Sequence, residues 1–540
     1  MLKKFFRLFG NSDETVKALT KRMGTEAANV YEKLEDQTVL STFLVQNLAD
    51  NGSGSLRAAI EQANINPGPD VVRVRVGLQG TVALTSGQLE ITDALRLVGP
   101  GENRLTISGN SLSRVFKVNT HAGEVFLRGF TVADGLSTQQ ENVGIKVVRG
   151  GGILNLMSQL RVQDLTFRNN RAVDQGNESL ADVVGGGAIV NTENAVLRLS
   201  QCTFVGNSAA GGTRYSFGGA IASVTNSKAF IQNAVFTSNQ VSGGTTNYGG
   251  AVATFGGSAA SVTKSEFSSN KAIGEGSQKA FGGALAARPG TVDNSASELV
   301  ALDCRLSENS AAASAASTAG GGAIYSHGSL FVVQGSKLLA NWAAAGDVAG
   351  GGIQNAQSVG IVMESQLKWN QSIGLSEDGG LGRSFGGGIA STSGGMLTVS
   401  KSEVALNEAR GINAYGGGIF NGAVYADEAV ALLFVDRTSL TQNRAATTRG
   451  SSNATAHGGG IFNGNPGEEK TPAATAMVKR TKIERNLAIA TAGGKGIGGG
   501  VYTVGEFVVD RPLQRQLLDG LAANFATTSD DNVFGQLTLA

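Results

Sequence analysis

The chain has 540 residues, of which 77 are glycine and only 16% are charged, a composition that argues against a helical protein. Its 44 basic residues face 43 acidic ones, so no field exists to gather nucleic acid or an anionic membrane. Two cysteines exclude a disulfide scaffold, and no apolar run approaches the length of a membrane-spanning helix.

Residues 1–41 stand apart from the rest. Met1-Leu2-Lys3-Lys4-Phe5-Phe6-Arg7-Leu8-Phe9 is basic and apolar, but Gly10-Asn11-Ser12-Asp13 interrupts it before a secretory apolar core can form. The segment is expected to be a leader, or a helical or disordered tail, with no clear signal peptide. Residues 42–143 read as an N-terminal cap and first coils. Ser55 is placed to N-cap a helix Leu56–Ala63, whose Leu56, Ala59, Ile60 and Ala63 share one face. Short β segments follow at Val71–Val76, Thr81–Leu84, Leu89–Ile91, Leu95–Val98, Leu105–Ile107, Val115–Val118 and Val125–Val132, separated by Gly, Asn, Asp and Pro.

Residues 144–504 carry a repeat. An apolar residue, two variable residues and an asparagine recur ten times, ending at Asn170, Asn207, Asn239, Asn270, Asn309, Asn341, Asn370, Asn407, Asn443 and Asn486. Their mean spacing is roughly 35 residues, the range of a solenoid repeat. Between copies stands a glycine pair with a small residue and an aliphatic, as in Gly186-Gly187-Ala188-Ile189.

Aligned on the motif, inward columns emerge five residues (Val162, Leu199, Ile231, Val399) and seven residues (Leu160, Leu197, Phe331, Leu433) before the apolar position. A period of two gives half-buried strands, and the three-residue step after the valine column demands a bend. The fold class is therefore all-β: a right-handed parallel β-helix solenoid with a short N-terminal capping helix. The ten asparagines should stack as a structural ladder at one corner, with a second ladder after the glycines at Asn155, Asn191, Ser223, Thr254, Ser326, Asn355, Ser391, Asn421 and Asn463. Cys202 and Cys304 occupy a slot that other copies fill with serine or threonine, so they read as small inward-facing residues. The variable stretches between each asparagine and the next glycine pair should project as loops from one side. Residues 505–540 read as a last coil and C-terminal cap, with a degenerate motif at Leu521-Ala522-Ala523-Asn524.

The paired glycine and Phe-x-x-Asn signatures resemble the repeats of chlamydial polymorphic outer-membrane proteins. Asn51-Gly52-Ser53-Gly54-Ser55-Leu56-Arg57-Ala58-Ala59-Ile60, with Leu97-Val98-Gly99-Pro100-Gly101, is similar to the opening segment of planctomycete-type β-helix surface proteins. The resemblance implies a secreted or cell-surface, adhesin-like protein.

Candidate chemistry is sparse. His121, His327 and His457 are too dispersed for a metal set or triad, and no catalytic, cofactor-binding or metal residues are assigned. The best acidic grouping joins Asp347 with Glu377-Asp378. The better recognition candidate is an aromatic stripe just before the glycine pair: Phe217, Tyr248, Phe281, Phe385 and Tyr415, with His457 in register. Rings repeating at the strand spacing could stack on sugars or anchor a protein; ordinary packing at the roots of the loops is the plainer alternative. The expected protein is a noncatalytic, extracellular or surface β-helix, monomeric and without cofactor, with cell-surface polysaccharide or protein as partner. The alternative is a polysaccharide-binding protein, or a lyase or hydrolase of the pectate-lyase-like class.

Overall fold

A computed structural model describes residues 40–540 apart from 122, 139–140, 143–145, 175–181, 291–293, 377–381, 425–428, 449–452, 467–473 and 492. The leader expected over 1–41 lies almost wholly outside the described residues. Two compact units are distinguished. The N-terminal one runs to Asn270 and includes Pro289–Leu299; the C-terminal one comprises Lys271–Arg288 and Val300–Ala540.

Each unit is a parallel β-helix. In the N-terminal unit Ile153, Ile189, Ile221 and Val252 are paired in register on successive coils, as are Phe167, Phe204, Phe236 and Phe267. Those four rings are fully buried and stack at 4.6–4.7 Å with planes within 6° of parallel. Burying each contributes about 1.5–3 kcal/mol, and the stack repeats at the strand spacing. Helix α1, Leu56–Ile65, carries Ser55 as N-cap, its Oγ accepting from the Ala58 N–H, and buries Leu56, Ala59, Ile60 and Ala63. It packs on strands Thr42–Val45, Asp70–Val74 and Leu89–Ile91, covering apolar side chains of the first coils.

In the C-terminal unit Ile353, Ile389, Ile419, Ile461 and Val501 form one inward column, and Leu338, Leu367, Val404, Leu440 and Ile483 another. The expected bend after the valine column is present in both units. The residue there is left-handed in every regular coil, from Asp164 and Lys264 to Lys401 and Arg480, with φ between +47° and +61°.

Two expectations need correction. The stretches between asparagine and glycine pair are more than loops: each regular coil adds two short strands there, such as Gln371–Gly374 and Arg383–Phe385. A complete coil therefore holds five strands, of which sequence patterning found three. Near the C-terminus the chain forms a helix that patterning missed, α2, Arg511–Leu518. Asp510 caps it through the Leu513 N–H and also accepts from the Arg480 N–H at 2.6 Å. Its Leu513 and Leu517 are buried.

The glycine pair and the asparagine motif meet inside one coil. Gly386 has φ +66°, open to few other residues, and a Cβ on Gly387 would lie 2.3 Å from the backbone of Glu408, the residue following Asn407. The second glycine is required because the coil is that narrow where the two motifs face each other.

Candidate functional site

The ten motif asparagines are all fully buried. In the N-terminal unit the Asn207 Oδ1 accepts from both the backbone N–H and the Nδ2 of Asn170 at 3.0 Å, while the Asn207 Nδ2 donates back to the Phe167 carbonyl. In the C-terminal unit the same pattern runs through Asn309, Asn341, Asn370, Asn407, Asn443 and Asn486. It continues to Asn524 and Asn532. The hydroxyl column is a further ladder. The Ser365 Oγ accepts from the Ser336 N–H at 3.1 Å and donates to the Met363 carbonyl. Cys304 sits in that column, its N–H donating to the Ser336 Oγ and its thiol directed at the Leu302 carbonyl. Cys202 and Cys304 are buried and form no disulfide, and burial pushes the Cys202 thiol up to about 12, away from the thiolate that nucleophiles and metal ligands use.

The aromatic stripe is turned into packing. Phe217, Tyr248, Phe385 and Tyr415 are at most 8% exposed, and Phe281 is half-buried. Phe217 and Tyr248 pack against Phe255; Phe281 stacks on Tyr325 at 4.5 Å. Phe385 and Tyr415 stack at 5.4 Å and close on Phe420 and Phe462. A sugar needs an open ring face, and burial leaves little of one on Phe217, Tyr248, Phe385 and Tyr415, while Phe281 keeps part of its surface exposed. Burial holds the Tyr415 hydroxyl above the usual range despite the hydrogen bond from Thr455.

His457 extends this column, pairing in register with Tyr415 and lying 4.4 Å from Tyr502 with parallel planes. Its Nε2 is buried without a hydrogen-bond partner. Burial, then Lys495, lowers its pKa to about 4; burial and Arg288 likewise lower that of His327.

Asp347 is paired with a base. Arg383 grips it with Nε at 2.8 Å and Nη2 at 2.6 Å, and Glu377-Asp378 lie outside the described residues. A shallow groove of about 470 Å³ in the C-terminal unit is lined by Glu364, Lys401, Glu403, Arg437, Arg480 and Lys482 among others. Its charges cancel. Lys401 meets Glu364 at 3.4 Å, Arg437 and Arg480 share the buried Asp436 at 2.9 and 2.7 Å, and Lys482 meets Glu484 at 2.7 Å. No group of three metal-ligating side chains occurs among the described residues.

Exposed apolar residues on neighbouring coils escaped the sequence reading. The chain has two tryptophans, Trp342 and Trp369, and each adjoins a motif asparagine in adjacent coils. They are 36% and 52% exposed, with Leu406 of the next coil at 37%. The signal was available: the rarest aromatic appears twice, each time beside the ladder. No family model matches the chain. No curated protein matches it either.

Proposed function

We propose that this is a noncatalytic, extracytoplasmic β-helix protein of the polymorphic-outer-membrane-repeat type, holding variable loops on coils that serve as scaffold. The reading is carried by one observation: the buried motif asparagines are directed into coil-to-coil hydrogen bonds. The carboxylates nearest to a catalytic arrangement, Asp347 and Asp436, are each held by arginine. Such a chain supports architecture and presentation; glycoside hydrolysis needs a pair of carboxylates flanking the scissile bond. The motif likeness supports a surface location, with a surface polysaccharide or protein as partner.

The test is protease treatment of intact source cells, followed by peptide mapping and by incubation of the purified protein with polygalacturonate. The reading expects loop peptides released from intact cells and no new unsaturated or reducing ends. Release only after lysis would overturn the location. New chain ends would overturn the noncatalytic assignment.

A further inference from the structure

The two tryptophans stand on a built platform. Asn341 and Asn370, their chain neighbours, are fully buried and joined by two hydrogen bonds, from the Asn341 N–H and Nδ2 to the Asn370 Oδ1 at 3.1 and 2.9 Å. Trp369 itself is left-handed, with φ +57°, a costly conformation for a bulky side chain. The ladder fixes that backbone and so presents the indole outward. Trp342 pairs in register with the exposed Gln371, which lies two residues beyond Trp369. Two nearby charge pairs are closed: Lys368 meets Glu403 at 2.7 Å and Arg444 meets Glu408 at 3.2 Å.

These features define the ligand. The exposed parts of the two rings amount to on the order of 200 Å² of apolar surface. A stable protein interface needs about 800 Å² from each partner, so the cluster is too small for one by itself. Paired cations offer little to a polyanion or an anionic membrane. Indole surface beside a primary amide suits an uncharged, hydroxyl-rich chain, whose C–H faces pack on the rings while its hydroxyls exchange hydrogen bonds with Gln371. We propose that Trp342, Trp369 and Gln371 form a binding site for a neutral polysaccharide running across adjacent coils. The site goes beyond the scaffold role and does not depend on where the protein resides.

Because the chain has no other tryptophan, its intrinsic emission reports on this site directly. The full-length protein is titrated with laminarin, hydroxyethylcellulose and galactomannan, with polygalacturonate and heparin as charged controls, and run on native gels containing each. The expected result is an emission shift and retarded migration with at least one neutral polysaccharide, insensitive to salt. Trp369→Gly, which suits the left-handed backbone, and Trp342→Ala should each weaken binding about tenfold or more, with circular dichroism unchanged. Trp369→Tyr, which keeps a ring, should restore part of it. Response to none of the neutral probes, retardation by the polyanions alone, or unaltered binding by both folded variants overturns the proposal.

Discussion

The asparagine ladder is directional, and each rung does several jobs at once. The Asn370 Oδ1 accepts two hydrogen bonds from Asn341, and its Nδ2 donates to the Leu338 carbonyl and the Asn407 Oδ1. None of these groups reaches water, so truncation leaves orphaned donors and acceptors as well as losing the bonds. A net hydrogen bond contributes about 1 kcal/mol and a buried unsatisfied group costs about 1–3 kcal/mol. Asn370→Ala is therefore expected to destabilise the C-terminal coils by about 3 kcal/mol or more. Urea unfolding followed by tryptophan emission measures this locally, because Trp369 adjoins the altered rung. An unchanged midpoint would mean that water takes over the freed groups. The serine column is more tolerant for a physical reason: a thiol fills the volume of a hydroxyl, which is how Cys202 and Cys304 are accommodated.

At the scale of the element, legibility followed side-chain size. The strands bearing Val399, Leu433 or Phe204 were readable because large inward residues alternate with polar ones. The two remaining strands of each coil were not. Their inward residues are small, such as Ala409 and Ala445 on one and Ala414 and Ala456 on the other, and together they form a buried cluster of alanines. Alanine has low β propensity and leaves no mark in a pattern of hydrophobicity. The coil closes there by narrowness rather than by bulk. Ala409→Leu should accordingly overpack the gap and cost about 1–3 kcal/mol, although leucine is the more hydrophobic residue. A lowered thermal midpoint checks it; a raised one would show that the interior can widen. The left-handed corners were legible only as a broken alternation, because Lys401, Arg437 and Arg480 are residues that seldom signal positive φ. The same blindness hid the tryptophans: Trp369 occupies such a corner, whereas the aromatic stripe, which patterning did pick out, is buried at Phe217, Tyr248, Phe385 and Tyr415 and half-buried at Phe281.

Across the whole molecule, the two units carry pH-sensitive groups that act in different windows. In the N-terminal unit, burial alone would raise the pKa of Asp50. Hydrogen bonds from Arg57 and from Thr85 and Ser86 overcome this and hold it well below the ordinary value of 3.8. Its contribution is present in full above that value and fades as pH falls beneath it. In the C-terminal unit, His457 titrates at about 4 in the native state against 6.5 unfolded. Above pH 6.5 the ring is neutral in both states. Between 6.5 and 4 the unfolded chain takes up a proton that the native stack of Tyr415, Tyr502 and nearby Lys495 refuses, so native stability falls with pH, by at most on the order of 3 kcal/mol. Mild acid should thus loosen the C-terminal coils while Asp50 still holds the N-terminal cap. Hydrogen exchange at pH 5 and pH 7 is expected to show protection falling around Thr455–His457 and Val501–Thr503, with Leu56–Ile65 unaffected. His457→Phe replaces the orphaned ring nitrogen with an apolar edge that fits the stack, and should abolish the difference. Equal loss in the wild type and the variant would place the acid sensitivity elsewhere in the C-terminal unit.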